Sequence, residues 1–466
     1  MRIWTRRSRV TAAGLATALG LGLLAGCSAQ GSGRPDNKIT VWSLESLPPR
    51  MAATRRVVHR FERASGVTVR LVGVTEAQLP QMIMSAAAAG DMPDAIAALP
   101  LSQIWQMYGN GLVNTRIAGR VVDRLGPATF DANALGLASD HGTRLGVPSD
   151  AWLQLLVYRS DLLRAAGLRA PDTYADLLRA ADRLQTGDRV GVSAATDPGD
   201  AFTQQSFEDL ALANGCRLID RGGRVTLDSP PCRTAFRTYD QLARAHGAPG
   251  TQTVDSTRAT YFAGRSAMVI WSSFLLDELA GLRDDALPSC PQCRRDHGYL
   301  AAHSGITTAL KGPDAAAPAQ YGDVVSFTAT RTAEPEATER FLTYMMTTGY
   351  EDWFGMAPEG KIPVRTGTAD DPGRYTRAWR GADMGVDTRR PMDQVYPRRL
   401  LDQLVEGVGR MRRWGIAEGQ GTLVGALSGE LPVAKAVGAM TSGQTSPRQA
   451  ARDAADEVAE IAKSLR

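Results

Sequence analysis

Histidine is scarce, with five in 466 residues, and neither a G-x-S-x-G nucleophile elbow nor an H-E-x-x-H zinc-protease signature occurs. Two common marks of hydrolytic enzymes are therefore missing. A surplus of one charge is also missing from the body of the chain. Four of the 53 Lys and Arg fall in the first 26 residues, which hold no acid, and the 49 that remain face 49 Asp and Glu. Such neutrality argues against nucleic acid or a polyanionic surface as the partner. Beyond residue 24 no long apolar run recurs, and a span needs about 20 apolar residues. The expectation is a chain that does not cross a membrane after its first segment.

That first segment is where the informative residues begin. Arg2, Arg6, Arg7 and Arg9 make a basic head, and Thr11 to Leu24 make an uncharged apolar stretch, the layout of an export signal. Leu24-Ala25-Gly26-Cys27 at its end looks like a bacterial lipobox. On that reading residues 1–26 are a lipoprotein signal peptide and Cys27 carries diacylglycerol on its sulfur; the competing reading is ordinary cleavage beside an incidental thiol. Acyl chains anchor by about 0.8 kcal/mol per buried CH₂, so the lipid alone attaches the protein to the membrane. Residues 27–37 comprise this cysteine and a small, polar, Gly- and Pro-containing tether, "SAQGSGRPDN". Arg6-Arg7 hints at twin-arginine export, although Arg9 stands where that motif prefers an apolar residue.

Four further cysteines, Cys216, Cys232, Cys290 and Cys293, form an even set in an exported chain, which points to disulfides. Three pairings exist, and proximity favours Cys216 with Cys232 and Cys290 with Cys293. Closing a loop of about 15 residues is worth roughly 3 kcal/mol in the chain-entropy model. "CPQC" followed by His297 and His303 has two other readings, a zinc site and a C-x-x-C redox pair. The Pro-containing loop and the unfamiliar ligand spacing favour the disulfide, and all three stay open.

About 440 residues at 43% hydrophobic content exceed one core and suffice for two domains. "KITVWSL" reads as a strand, "MAATRRVVHRFERASG" as an amphipathic helix ending at Gly66, and "VTVRLVGV" as a second strand, so the crossover makes the pair parallel. A helix over Glu76 to Ala89 and a buried strand at "DAIAAL" follow. Later come strands at "LQLLVYR", "AMVIW" and "DVVSFTATR", helices at "SDLLRAAG", "TYADLLRAADRLQ" and "EATERFLTYMMTT", and a long surface helix at "SPRQAARDAADEVAEIAKSL". The class is α/β.

Five blocks, in order, carry a family resemblance: "FERASGVTVRLVGV", "AAAAGDMPDAI", "YRSDLLRAAGLRAPDTYADLLRAADRL", "YFAGRSAMVIW", and "EATERFLTYMMTT" followed by "EGKIPVR". They resemble landmarks of the extracellular solute-binding proteins of family 1, the sugar-binding lipoproteins of ABC importers. The resemblance implies a two-lobed periplasmic-binding-protein-like fold of type II, with a hinge between lobes and the ligand in the cleft. Lobe one is expected at 38–146 plus 301–349, and lobe two at 147–300 plus 350–466. The implied partners are a sugar or oligosaccharide and the permease subunits, with no cofactor, no metal and a monomeric chain on the outer face of the cell membrane.

A sugar has apolar C–H faces and a rim of hydroxyls, so its site needs flat aromatics and fixed polar groups. Trp42, Ser43 and Glu45 follow the first strand, at the end where α/β sheets bind ligands. Ser149, Asp150 and Trp152 follow Gly146-Val147-Pro148, and Trp271 and Ser272 end "AMVIW". Tyr321 and Asp323 precede "VVSFTATR", and Glu359 precedes "GKIPVR". Core packing is the competing fate of each tryptophan. Trp105 and Trp353 sit inside helical patterns and read as core, and Asp94 as structural. Arg389 and Arg390 would suit an anionic ligand or lie on a solvated loop. Two other functions remain in competition: a secreted carbohydrate-active enzyme, which would also combine tryptophan with paired carboxylates, and a thiol redox lipoprotein using Cys290 and Cys293.

Overall fold

In the computed structural model, which describes residues 37–465, Ile39 and Val41 turn inward from β1 (Lys38–Ser43) and are fully buried. The signal peptide, Cys27 and the tether up to residue 36 lie outside the described residues. A helix, Pro48–Ser65, buries Val57, Val58 and Phe61 along one face and stops at Gly66, whose φ of 71° is the left-handed conformation of a helix C-cap. The chain returns as β2 (Thr68–Gly73), parallel to β1 with Lys38 opposite Thr68. A third parallel strand, β3 (Ala95–Pro100), flanks β1 on its other side. The Asp94 carboxylate accepts from the backbone amides of Thr40 (2.7 Å) and Glu334 (2.8 Å) and so fastens the entry to β3.

The sheet is completed by β4 (Val147–Arg159), β5 (Met268–Ser272), β6 (Ser304–Thr307), β7 (Gly322–Ala329) and β8 (Ile362–Pro363), in the order β8-β4-β7-β3-β1-β2, with β5 and β6 also on β4. β4 is the pivot of this topology. Its first half, Val147 to Leu153, pairs antiparallel with β7, while Gln154 to Arg159 pairs with β5 and β6. Hydrophobic clusters form at both ends. One gathers Ile39, Phe61, Ile96, Phe327 and Trp353. The other gathers Phe207, Phe236, Tyr239, Trp414 and Val458, with the Phe207 and Phe236 ring centroids 4.3 Å apart.

Two elements differ from their sequence expectation. The stretch Glu76 to Ala89 is a short turn, Glu76–Gln78, followed by a helix, Leu79–Ala89, because Pro80 fits only within a helix's first turn. β4 starts at Val147, not at Leu153, since a register shift between Pro148 and Asp150 lets a proline-containing segment join the ladder. The last helix, Pro447–Ser464, buries Ala450, Ala451, Ala454 and Val458 on its inner face. Among the described residues no single helix is long and apolar enough to cross a membrane.

Cys216 is bonded to Cys232 and Cys290 to Cys293, and all four are buried. The CPQC sulfurs are thus tied to each other and are not free as zinc ligands or as solvent-facing thiols. His303 Nδ1 donates to the Tyr299 carbonyl (2.9 Å), and its ring stacks on the Tyr299 ring.

Candidate ligand-binding cleft

The carboxyl ends of β1, β3 and β5, the middle of β4 and the start of β7 converge on a cleft of about 850 Å³. Its far wall is the helix Ala201–Ala213 and the helix Gly421–Glu430. At β3 the pairing with β7 slips between Ile96 and Leu99, and Ala98 takes a left-handed φ of 60°. Such a bulge turns the strand at the cleft wall, and a small side chain limits the strain. Gly360 also lines the cleft, and a β-carbon there would strike the Phe274 ring.

Two aromatic pairs face this space. Trp152 lies 5.7 Å from Tyr321 and Trp271 lies 5.6 Å from Phe202, both tilted. Trp271 is aimed by its indole N–H, which donates to the Val254 carbonyl (3.0 Å), and by the Arg258 guanidinium above its ring. Phe274 carries Arg50 over its face at 5.3 Å.

The charges are arranged in closed groups. Lys361, buried, sits 2.5 Å from Glu45 Oε1 and 3.2 Å from Asp150 Oδ2, with its Nζ over the Trp353 ring. Asp150 Oδ1 accepts from Ser149 Oγ and Trp353 Nε1, both at 2.7 Å. Arg50 reaches Glu45 Oε2 at 3.1 Å and Glu359 Oε1 at 3.8 Å. Burial acts to raise the Glu45 carboxyl, but Lys361 and Arg50 together hold it below its ordinary range. Asp150 stays raised by burial in spite of Lys361. Glu359 is pushed up to about 8 by burial and the Asp277 charge against the pull of Arg50.

A second group stands below Tyr321. Arg413 Nη1 is 2.8 Å from Asp323 Oδ1 and its Nε 3.6 Å from Glu208 Oε1, an ion pair of close charges without well-directed hydrogen bonds. Burial opposes the guanidinium charge, and Asp323, Tyr321 and Glu208 restore it. Glu208 accepts from the Trp414 amide (2.8 Å), and Asp209 accepts from the Tyr321 amide (2.9 Å). Burial pushes Asp209 up to about 7.

Of the residues singled out in the sequence, Glu45, Asp150, Trp152, Trp271, Ser272, Tyr321 and Asp323 line the cleft together. Trp42, Ser43, Ser149 and Glu359 do not. Trp42 packs into the core beneath β1, Ser43 Oγ caps the Glu45 amide, and Ser149 Oγ is committed to Asp150 and the Val325 carbonyl. Glu359 stands behind Arg50 with one oxygen unpaired. Arg389 donates to the Gly355 and Asp383 carbonyls, and neither it nor Arg390 reaches the cleft.

Arg50, Lys361, Arg413, Glu76, Asp200, Phe202, Gln103 and Gln204 also line it and escaped the sequence reading. Lys361 lies inside the quoted block "EGKIPVR", and Asp200 is readable as the N-cap of "AFTQQSF". The others come together only through tertiary contacts. Stacking faces rimmed by fixed donors and acceptors suit reversible recognition of a polyhydroxylated ring.

A sequence profile of bacterial extracellular solute-binding proteins matches residues 56–380. YcjN, a candidate ABC transporter periplasmic-binding protein of Escherichia coli, is 26% identical over 379 residues, covering 78% of this chain and 81% of that protein. Among solved structures, the GacH receptor of Streptomyces glaucescens, determined unliganded and with acarbose, matches with a TM-score of 0.68 at 16% identity over 92% of this chain and 99% of its own. A sugar transporter from Arthrobacter chlorophenolicus with bound laminaribiose matches with a TM-score of 0.69 at 16% identity, over 91% and 99%. Likeness at this level establishes the two-lobed α/β fold.

Proposed function

The chain belongs to the bacterial extracellular solute-binding proteins, and on that premise we propose that it is a lipid-anchored receptor that captures a carbohydrate between its lobes and delivers it to an ABC importer. The observation that carries this reading is the cleft itself. It opposes two aromatic pairs, Trp152 with Tyr321 and Trp271 with Phe202, and surrounds them with carboxylates, amides and guanidinium groups.

The remaining parts of the proposal follow from the sequence. Cys27 carries the lipid, the protein works outside the cell membrane as a monomer, and the permease recognises the closed form. The ligand contacts are Glu45, Asp150, Trp152, Trp271, Ser272, Tyr321 and Asp323. The lobe division follows β4. Residues 301–320 go with the second lobe because β6 pairs with the second half of β4. The segment around Arg365 goes with the first, because Arg365 donates to the Leu125 carbonyl and to Thr129.

A thermal-shift screen of the chain from Ser28 onward against mono- and oligosaccharides, followed by chromatography of the sugar, tests this reading. A ligand at 100 times its dissociation constant adds about 2.7 kcal/mol to the native state. The expected result is a sugar that raises the melting temperature and is recovered intact. Consumption of the sugar would make the protein an enzyme, and a flat panel would contradict a carbohydrate ligand.

A further inference from the structure

The balance of 49 basic and 49 acidic residues in the body is an average, and one face departs from it. Between Ser46 and Thr75 stand six arginines and a single acid, Glu62. The helix Pro48–Ser65 turns Met51, Thr54, Val57, Val58 and Phe61 inward. At about 3.6 residues per turn, Arg55, Arg56, His59 and Arg63 then share its outer face, and all four are exposed. Beside this helix runs β2, the edge strand of the sheet, with Arg70 exposed on it and Lys38 exposed at the start of the neighbouring β1.

Among the described residues nothing neutralises the surplus. Glu62 is engaged at both oxygens, by the Val69 amide (2.9 Å) and by His59 Nδ1 (2.9 Å). The helices Pro335–Met345 and Tyr350–Phe354 pack against the same helix, but their acids serve other arginines. Asp352 pairs with Arg60, Glu351 with Arg374 (2.8 Å), and Glu339 with Arg120 (2.5 Å) and Arg124 (2.6 Å). Lys38, Arg55, Arg56, Arg63 and Arg70 have no ion pair among the described residues.

A second observation is where the body begins. The Thr68 amide donates to the Asn37 carbonyl at 2.8 Å, so the first described residue lies against the start of β2, beside the end of the basic helix. Ten residues separate Cys27 from Asn37, and such a stretch spans at most about 35 Å. A lipid on Cys27 therefore holds this corner within that distance of the bilayer. The cleft opens at the other, carboxyl ends of β1 and β3.

Resting on the lipid anchor of the proposed function, we propose that the face made by the helix Pro48–Ser65 and β2 docks on anionic phospholipid headgroups and so directs the cleft away from the membrane. Guanidinium groups donate to phosphate oxygens in pairs, and each basic residue near an anionic surface strengthens binding about fivefold. The attraction fades beyond a Debye length of about 10 Å at 0.1 M salt. A short attachment keeps the patch close to that range, where even a weak contact is favoured by its high effective concentration.

Co-sedimentation with vesicles decides it, using the chain from Ser28 onward, which holds the whole described body and no lipid. Vesicles of equimolar phosphatidylglycerol and phosphatidylcholine are expected to retain the protein at low salt and release it at high salt. Pure phosphatidylcholine vesicles retain little at either. In the variant Arg55→Gln/Arg56→Gln/Arg63→Gln/Arg70→Gln, partition into the charged vesicles falls at least about tenfold, with an unchanged melting temperature. The control Arg217→Gln/Arg221→Gln/Arg294→Gln/Arg295→Gln removes the same charge from exposed positions elsewhere and is expected to bind as the parent does. No preference for the anionic vesicles, or equal losses in the two variants, would overturn the inference. The anchor is read separately, from the mass of the mature N-terminus of the full chain. An unacylated Cys27 would overturn the anchored reading, and with it the orientation, even where the vesicles bind.

Discussion

Asp209 binds its proton more tightly in the folded protein, near pH 7, than at its ordinary 3.8. The native state therefore holds the extra proton between these values, and stability falls as pH rises through that window and is level above it. Asparagine keeps an oxygen for the Tyr321 amide and carries no charge. The melting temperature of Asp209→Asn is expected to exceed that of the parent by a margin that grows from about pH 4 to pH 7, equivalent at most to about 4 kcal/mol. A margin independent of pH would contradict the burial argument. Lys361 gives a second prediction. Lys361→Met strands Asp150 in the interior and leaves Glu45 with Arg50 alone, and breaking such a group costs about 3–5 kcal/mol. Adding Glu45→Gln and Asp150→Asn is expected to recover much of the loss in a urea titration. Glu45 was legible in the sequence because it follows a strand end, and Asp150 because it follows Gly146-Val147-Pro148. Lys361 and Arg413 were not, because a buried cation is recognisable only by the acids folded around it.

The helix Gly421–Glu430 shows how glycine spacing sets the approach of two elements. Gly421 and Gly425 share a face that meets the helix Leu101–Gly109, where β-carbons would strike the Trp105 ring and the Gln106 backbone. Gly429, one turn on, has open space around it. Gly425→Ala is expected to destabilise by about 1–3 kcal/mol through overpacking. Gly429→Ala is expected to stabilise by up to about 1 kcal/mol through helix propensity. Equal effects in chemical denaturation would mean that the two helices are not in close contact. At this scale most elements were readable, since β1, β2, β3, β5 and β7 are short apolar runs bounded by turn residues. The early start of β4 was hidden because Pro148 and Asp150 look like loop, and only the bulge makes them strand.

Across the whole molecule, the order of the five sequence blocks pointed to a two-lobed fold, and the matches to solved structures show it. Tryptophans were the ambiguous signal. Trp353 was readable as core from its helical pattern, but Trp152 and Trp271 reach the cleft while Trp42 fills core, and nothing in the local sequence separates these three, since burial depends on what the fold packs against each. One central claim joins these scales, that the aromatic pairs of the interlobe cleft hold a sugar. The most direct test is calorimetric titration of a sugar that stabilises the protein, against the parent chain and against Trp152→Ala and Trp271→Ala. One sugar per chain is expected, with affinity lowered at least about tenfold by each substitution, as loss of a buried aromatic contact implies. Undiminished binding by both variants would place the ligand elsewhere and contradict the claim.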